Sequence, residues 1–200
     1  MQKLLPSITL LVIAVFLLGC EQTVSTESEG TRYEITQVDI FAVEDVHGDQ
    51  VEVFGVGVGD SKERVLARLG EPDTIMEFPD IEAVNFEYAK RLNMTAPGLV
   101  IQLRGNQVYK ITMKRPFNQY LHGKTVIDHT KDEVYFNLLG VPDSQEEVHL
   151  FRVFYYEDEG FEAILRKGEL NGLSLVTPRP ITSPKTKIDP AIVAEAQVAQ

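Results

Sequence analysis

Side chains able to carry chemistry are few in this chain, and their spacing suits little of it. Of the four histidines, His47 lies in His47-Gly48-Asp49-Gln50. No second His or Cys stands at metal-ligand spacing, so it reads as a solvated turn residue. His122 and His129 are too few for a metal site without further ligands, and His149 is expected with Arg152 on the wetter side of a strand. Glu157-Asp158-Glu159-Gly160 gathers three acids without EF-hand spacing, which predicts a charged hairpin tip. Gly55-Val56-Gly57-Val58-Gly59 lies between a strand and a helix. Its spacing is not the dinucleotide fingerprint, and the lysine of a phosphate loop is missing. No nucleophile motif surrounds any serine, and no lysine or paired-carboxylate motif is present. The expectation is a protein that is not an enzyme and carries no metal and no cofactor.

Cys20 is different, because its position fits one specific reaction. It follows a thin positive start at Lys3 and an apolar run from Leu4 to Leu18, shorter than a comfortable bilayer span. The run ends in Leu17-Leu18-Gly19-Cys20, which resembles the bacterial lipobox. That resemblance implies cleavage before Cys20, a diacylglyceryl thioether on its sulfur and an acylated amino group. Two or three acyl chains hold a protein on a membrane where one binds only marginally. As the sole cysteine, Cys20 has no partner for an intrachain disulfide.

The elements that would position any site are announced twice. Asp60-Ser61-Lys62-Glu63-Arg64-Val65-Leu66-Ala67-Arg68-Leu69-Gly70-Glu71-Pro72-Asp73 reads as a short helix. Asp60 and Glu63 have capping-box spacing, Gly70 is a stop, and Pro72 forbids continuation. Thr130-Lys131-Asp132-Glu133 through Leu139-Gly140-Val141-Pro142-Asp143 repeats the pattern. Downstream, Phe86 and Tyr88 align with Phe154 and Tyr156, Leu99–Leu103 with Phe161–Leu165, and Val108–Met113 with Leu170–Leu175. Alternating apolar residues make these strands. The predicted fold is α+β: two tandem helix-plus-three-antiparallel-strand repeats in one continuous curved antiparallel sheet, with helices on one face. A bulged hairpin at Gly105-Asn106 is expected to pair Ile101 with Tyr109 and Leu99 with Ile111. The predicted organisation is a signal peptide at 1–19, a flexible tether at 20–32, an N-terminal hairpin and first repeat at 33–113, a linker at 114–125, a second repeat at 126–176 and a Pro-rich disordered tail at 177–200.

Ser61-Lys62-Glu63-Arg64-Val65, closing with Leu69-Gly70-Glu71-Pro72-Asp73, resembles the helix signature of the SmpA/OmlA (BamE) family of small bacterial envelope lipoproteins. Doubling of the unit is similar to the β-lactamase inhibitor protein architecture. The resemblance covers about residues 55–176. Asp60 departs from it, standing where the single-repeat family more often has a Met or Thr-like residue. Neither family's contact residues can be placed, and none is carried over. The resemblance implies a non-enzymatic binding protein acting in outer-membrane protein assembly or envelope maintenance, or an enzyme-inhibitor-like binder.

Formal net charge is −11 with no basic tract, which argues against nucleic acid and against electrostatic docking to anionic lipid. The expected partners are a membrane, through lipid on Cys20, and a protein of the cell envelope. The expected location is the periplasmic face of the outer membrane, with the outer face of the plasma membrane as the alternative. Phe86, Tyr88, Tyr109, Phe154 and Tyr156 are candidate partner contacts, although each could equally serve the core. A different class of function stays open: a ligand or cell-wall sensor, which would need a polar, aromatic-lined concavity in the sheet.

Overall fold

The structure, a computed structural model, describes residues 31–40, 43, 45–117, 127 and 140–179. Cys20, the signal peptide, most of the tether, the expected second helix and nearly all of the tail lie outside the described residues.

The chain begins with a small sheet. Strand β1 (Tyr33–Glu34) pairs parallel with β2 (Val51–Val53), which pairs antiparallel with β3 (Val56–Gly57). The hairpin expected between residues 33–46 and 51–58 is not formed. Instead the tight turn is Phe54-Gly55, with both residues at positive φ. The Glu34 carboxylate holds it, accepting from the Phe54 N–H at 3.0 Å and the Gly55 N–H at 2.8 Å. A bulky residue in the left-handed region costs of order 1–3 kcal/mol, and two charge-assisted bonds offset that.

Helix α1 (Lys62–Leu69) follows. Its N-cap is Ser61, whose Oγ accepts from the Arg64 N–H at 3.3 Å, so the capping box expected from Asp60 and Glu63 is not the one used. Asp60 is committed elsewhere. One carboxylate oxygen accepts from Arg32 at 2.8 Å; the other takes the Gly57 N–H at 2.8 Å and lies 3.0 Å from Arg64 Nε. Both arginines also reach Glu52, at 3.0 and 2.9 Å. This buried carboxylate ties the small sheet to the helix start. The helix ends at Gly70, with φ 70, whose N–H donates to the Leu66 carbonyl at 2.8 Å.

The rest is one eight-stranded antiparallel sheet: β4 (Thr74–Phe78), β5 (Ala83–Tyr88), β6 (Leu99–Arg104), β7 (Gln107–Lys114), β8 (Ser144–Val148), β9 (Phe151–Tyr156), β10 (Phe161–Arg166) and β11 (Glu169–Val176). The spatial order is β4-β5-β6-β7-β11-β10-β9-β8. This corrects the expected fold class. The protein is mostly β, each half of the large sheet has four strands rather than three, and α1 is the one α-helix among the described residues. The sequence pattern missed β4 and β8 because both are edge strands. Thr74-Ile75-Met76-Glu77-Phe78 and Ser144-Gln145-Glu146-Glu147-Val148 bury little, so neither shows one apolar face.

The two inner hairpins match in detail. In β6–β7 the register shifts between Gln102 and Leu103, leaving Tyr109 as the extra residue; in β10–β11 it shifts between Ile164 and Leu165, leaving Asn171. Bulges were expected in the first hairpin, but with the extra residue on the other strand. The observed pairs are Ile101 with Ile111 and Leu99 with Met113. This choice keeps Leu99, Ile101, Leu103, Val108, Ile111 and Met113 all buried on one face. Two buried tyrosines lock equivalent corners: Tyr88 OH donates to the Gly70 carbonyl and Tyr156 OH to the Gly140 carbonyl, each at 3.1 Å.

Apolar side chains of the sheet's inner face, of α1 and of the small sheet form one core, including Val53, Val65, Phe86, Leu99, Phe154 and Leu173. The small sheet's leading turn also crosses to the far half. The Gly48 N–H donates to the Glu159 carbonyl at 2.7 Å, and His47 Nδ1 lies 3.0 Å from the Asp158 carbonyl. The acidic tip is therefore a docking point for the N-terminal segment. A Cβ at Gly48 would stand 2.0 Å from the Gly160 carbonyl oxygen, and backbone on both sides cannot yield cheaply. Gly48→Ala is expected to destabilise the fold by about 1–3 kcal/mol, read as a lower urea midpoint at unchanged slope.

Candidate binding surface

Alternation along each strand sends one set of side chains to the core and the other to the opposite, open face. On β5 the open-face residues are Ala83, Asn85 and Glu87; across β6, β7, β11 and β10 they continue as Gln102, Lys110, Thr112, Ser174 and Glu162. Their polar groups are already paired. Gln102 Nε2 donates to Asn85 Oδ1 at 2.9 Å, and the Thr112 and Ser174 hydroxyls meet at 3.0 Å. Lys110 pairs with Glu162, and Lys114 lies 3.9 Å from Glu87. Tyr155 OH donates to Glu146 at 2.9 Å; burial and then that carboxylate push the phenol pKa up. This face forms a satisfied polar seam across the join of the two halves. It offers neither a nucleophile beside a base nor a set of converging free donors. Among the described residues no group of three His, Cys, Asp or Glu side chains could hold a metal ion, and no helix is long and apolar enough to cross a membrane.

The five aromatics singled out from the sequence divide unevenly. Phe86, Tyr88, Phe154 and Tyr156 are buried on the core face, at 2% exposure or less. Lys62 Nζ stands 5.6 Å from the centre of the Phe86 ring, further shielding it. They build the core and present no surface to a partner. Tyr109, the bulge residue, is half-buried with Arg104 4.4 Å above its ring. Gly55 to Gly59 forms the turn, β3 and the approach to α1; its N–H groups at 55, 57 and 59 all donate within the protein. It is a structural corner.

Sequence reasoning missed the surface that the fold leaves unfinished, which is the β4 edge. Ile75 is 54% exposed, Met76 43% and Ile81 52%. They lie within residues 71–82, which hold Glu71, Asp73, Glu77, Asp80 and Glu82 and no lysine or arginine. Asp73 is spent on structure, its Oδ2 accepting from the Ala89 and Lys90 N–H groups at 2.7 and 3.0 Å. The signal available in the sequence was a short apolar run with acids on both sides, lacking the alternation of a half-buried strand. At the opposite edge, β8 exposes Glu146, Glu147 and Val148, with Leu150 beyond.

No family model matches the chain. No curated protein matches it either. Among solved structures it aligns with an extracellular protein containing an SCP domain from Bacillus anthracis, at 13% identity and TM-score 0.42, over 70% of this chain and 52% of that one. A cysteine-rich secretory protein from Staphylococcus aureus aligns at 11% identity and TM-score 0.37, over 73% of this chain and 50% of that one. The chain spans about half the length of each. These findings correct the expected SmpA/OmlA and β-lactamase-inhibitor-like assignment: no family model carries it, and these solved neighbours are proteins of another kind.

The seam makes one quantitative expectation. Removing one buried hydroxyl leaves the other unsatisfied, costing about 1–3 kcal/mol, whereas removing both is nearly neutral. Thr112→Val and Ser174→Ala are each expected to lower stability by about 1–2 kcal/mol, and the double variant by clearly less than their sum. Urea unfolding of the four proteins checks this.

Proposed function

We propose that this chain is an exported, lipid-anchored protein that acts by binding another protein and not by catalysis, and that the β4 edge is where the partner docks. Export and anchoring rest on the apolar leader and on Cys20 at the end of Leu17-Leu18-Gly19. The docking site rests on one observation: β4 ends the large sheet and exposes Ile75 and Met76 in a strip without a basic residue.

Two physical points favour the edge over the open face. Polar groups on the open face are already paired, so a partner there exchanges one bond for another. The edge has a row of backbone groups with no strand beside it, and an added strand gains ladder bonds together with apolar burial. The partner chemistry follows from charge: an extended segment alternating apolar residues with lysine or arginine. A second copy is disfavoured, because β4 against β4 opposes Glu77 to like charge, and β4 against β8 meets Glu146 and Glu147.

A photo-crosslinking residue at Ile75 of the full chain, in the membranes that carry it, is expected to give a discrete protein adduct that Met76→Glu or Ile81→Asp abolishes. Adducts from Leu150 or Tyr109 in place of Ile75 would contradict the reading. Cys20→Ser is expected to release the protein from the membrane fraction.

A further inference from the structure

The two inner hairpins have the same strand lengths and the same bulge, yet their tips differ in one side chain. In the first, the bulge residue is Tyr109, and Arg104 lies over its ring at 4.4 Å, so the space beside the turn is filled. In the second the bulge residue is Asn171. A cleft of about 230 Å³ opens there, lined by Arg115, Arg166, Lys167, Glu169, Leu170 and Asn171. The Arg115 N–H donates to the Asn171 carbonyl at 2.9 Å, which fixes the backbone on which that arginine stands. Arg166 stands 5.8 Å from the centre of the Phe151 ring, an open-face neighbour that steadies its guanidinium. Lys167 is held in the turn at φ 54.

Three cations meet one carboxylate in this cleft, on a protein of net charge −11. Gathering like charges costs energy unless an anion shares the site. The size limits the guest. A water occupies ~30 Å³ of liquid, so the cleft holds about eight waters. That falls below the ~300 Å³ at which pockets for drug-sized ligands begin. One compact dianionic group fits where a nucleotide does not. A phosphate carries about −1.5 to −2 charges at neutral pH, matching the local surplus, and its oxygens suit the guanidinium fork.

We infer that the cleft beside the Lys167-Gly168 turn binds a phosphate group. This inference stands apart from the protein-docking reading, which concerns the opposite end of the sheet. The phosphate comes either free in solution or on the headgroup of an anionic lipid beneath the anchored protein. Both sources present the same oxygens.

The test follows acylation of Lys167 by an amine reagent, read by mass spectrometry on the full chain. In uncharged detergent, sodium phosphate is expected to slow modification several-fold relative to sodium chloride at equal ionic strength. In vesicles without free phosphate, slowing with phosphatidylglycerol but not with phosphatidylcholine alone assigns the headgroup as the source. Asn171→Tyr recreates the filled tip of the first hairpin without changing net charge, and is expected to abolish protection. Arg166→Gln is expected to do the same if the tyrosine is not tolerated. Absence of protection in both arms, or protection undiminished in the variants, would overturn the inference.

Discussion

The antiparallel pairing of β7 with β11 is the contact on which the rest of the molecule depends. Without it the chain would be two four-stranded sheets, each with a second raw edge. Pairing Ile111 with Leu175 and Met113 with Leu173 aligns the apolar rows of both halves, so one continuous core forms beneath eight strands. On the other face the same register brings Thr112 against Ser174 and Lys110 beside Glu162. The join is therefore apolar below and satisfied above. The only raw edges left to the large sheet are β4 and β8.

Register at this join is guarded by the bulges. A strand shifted by one residue would turn its whole apolar row outward. Tyr109 and Asn171 each absorb one residue near a tip, so Val108 and Leu170 stay buried along with the residues that follow. The N-terminal segment adds a second restraint. Asp60 and Glu52 bind Arg32 and Arg64 at one end, and Gly48 docks on Glu159 at the other. A small sheet too short to stand alone thus spans both halves.

What the sequence disclosed follows from how strongly each segment is patterned. Strands β5, β6, β7, β9, β10 and β11 alternate clearly because one face of each is core, and their apolar residues are where alternation puts them. The stop at Gly70 was legible because a left-handed residue is needed there. Edges were not legible. Thr74–Phe78 and Ser144–Val148 are held by backbone pairing, which leaves no side-chain period to read. The cap was misplaced by one residue because Asp60 and Ser61 both have capping chemistry, and only the distant Arg32 decides between them. The contact aromatics were misread for a related reason. Sequence shows that Phe86 and Tyr88 share a face but not that α1 covers it. The cleft at Asn171 came from comparing two similar hairpins in three dimensions, where one has a ring and the other a gap.

The claim that the β4 edge receives a partner strand is tested most directly by backbone hydrogen exchange on the full chain. The probe is a synthetic peptide alternating valine or isoleucine with lysine. The account predicts new protection confined to Thr74–Phe78 and its flanks, with the amides of β8 unchanged. Protection spread over the inner strands β6, β7, β10 and β11, or none at saturating peptide, would contradict it.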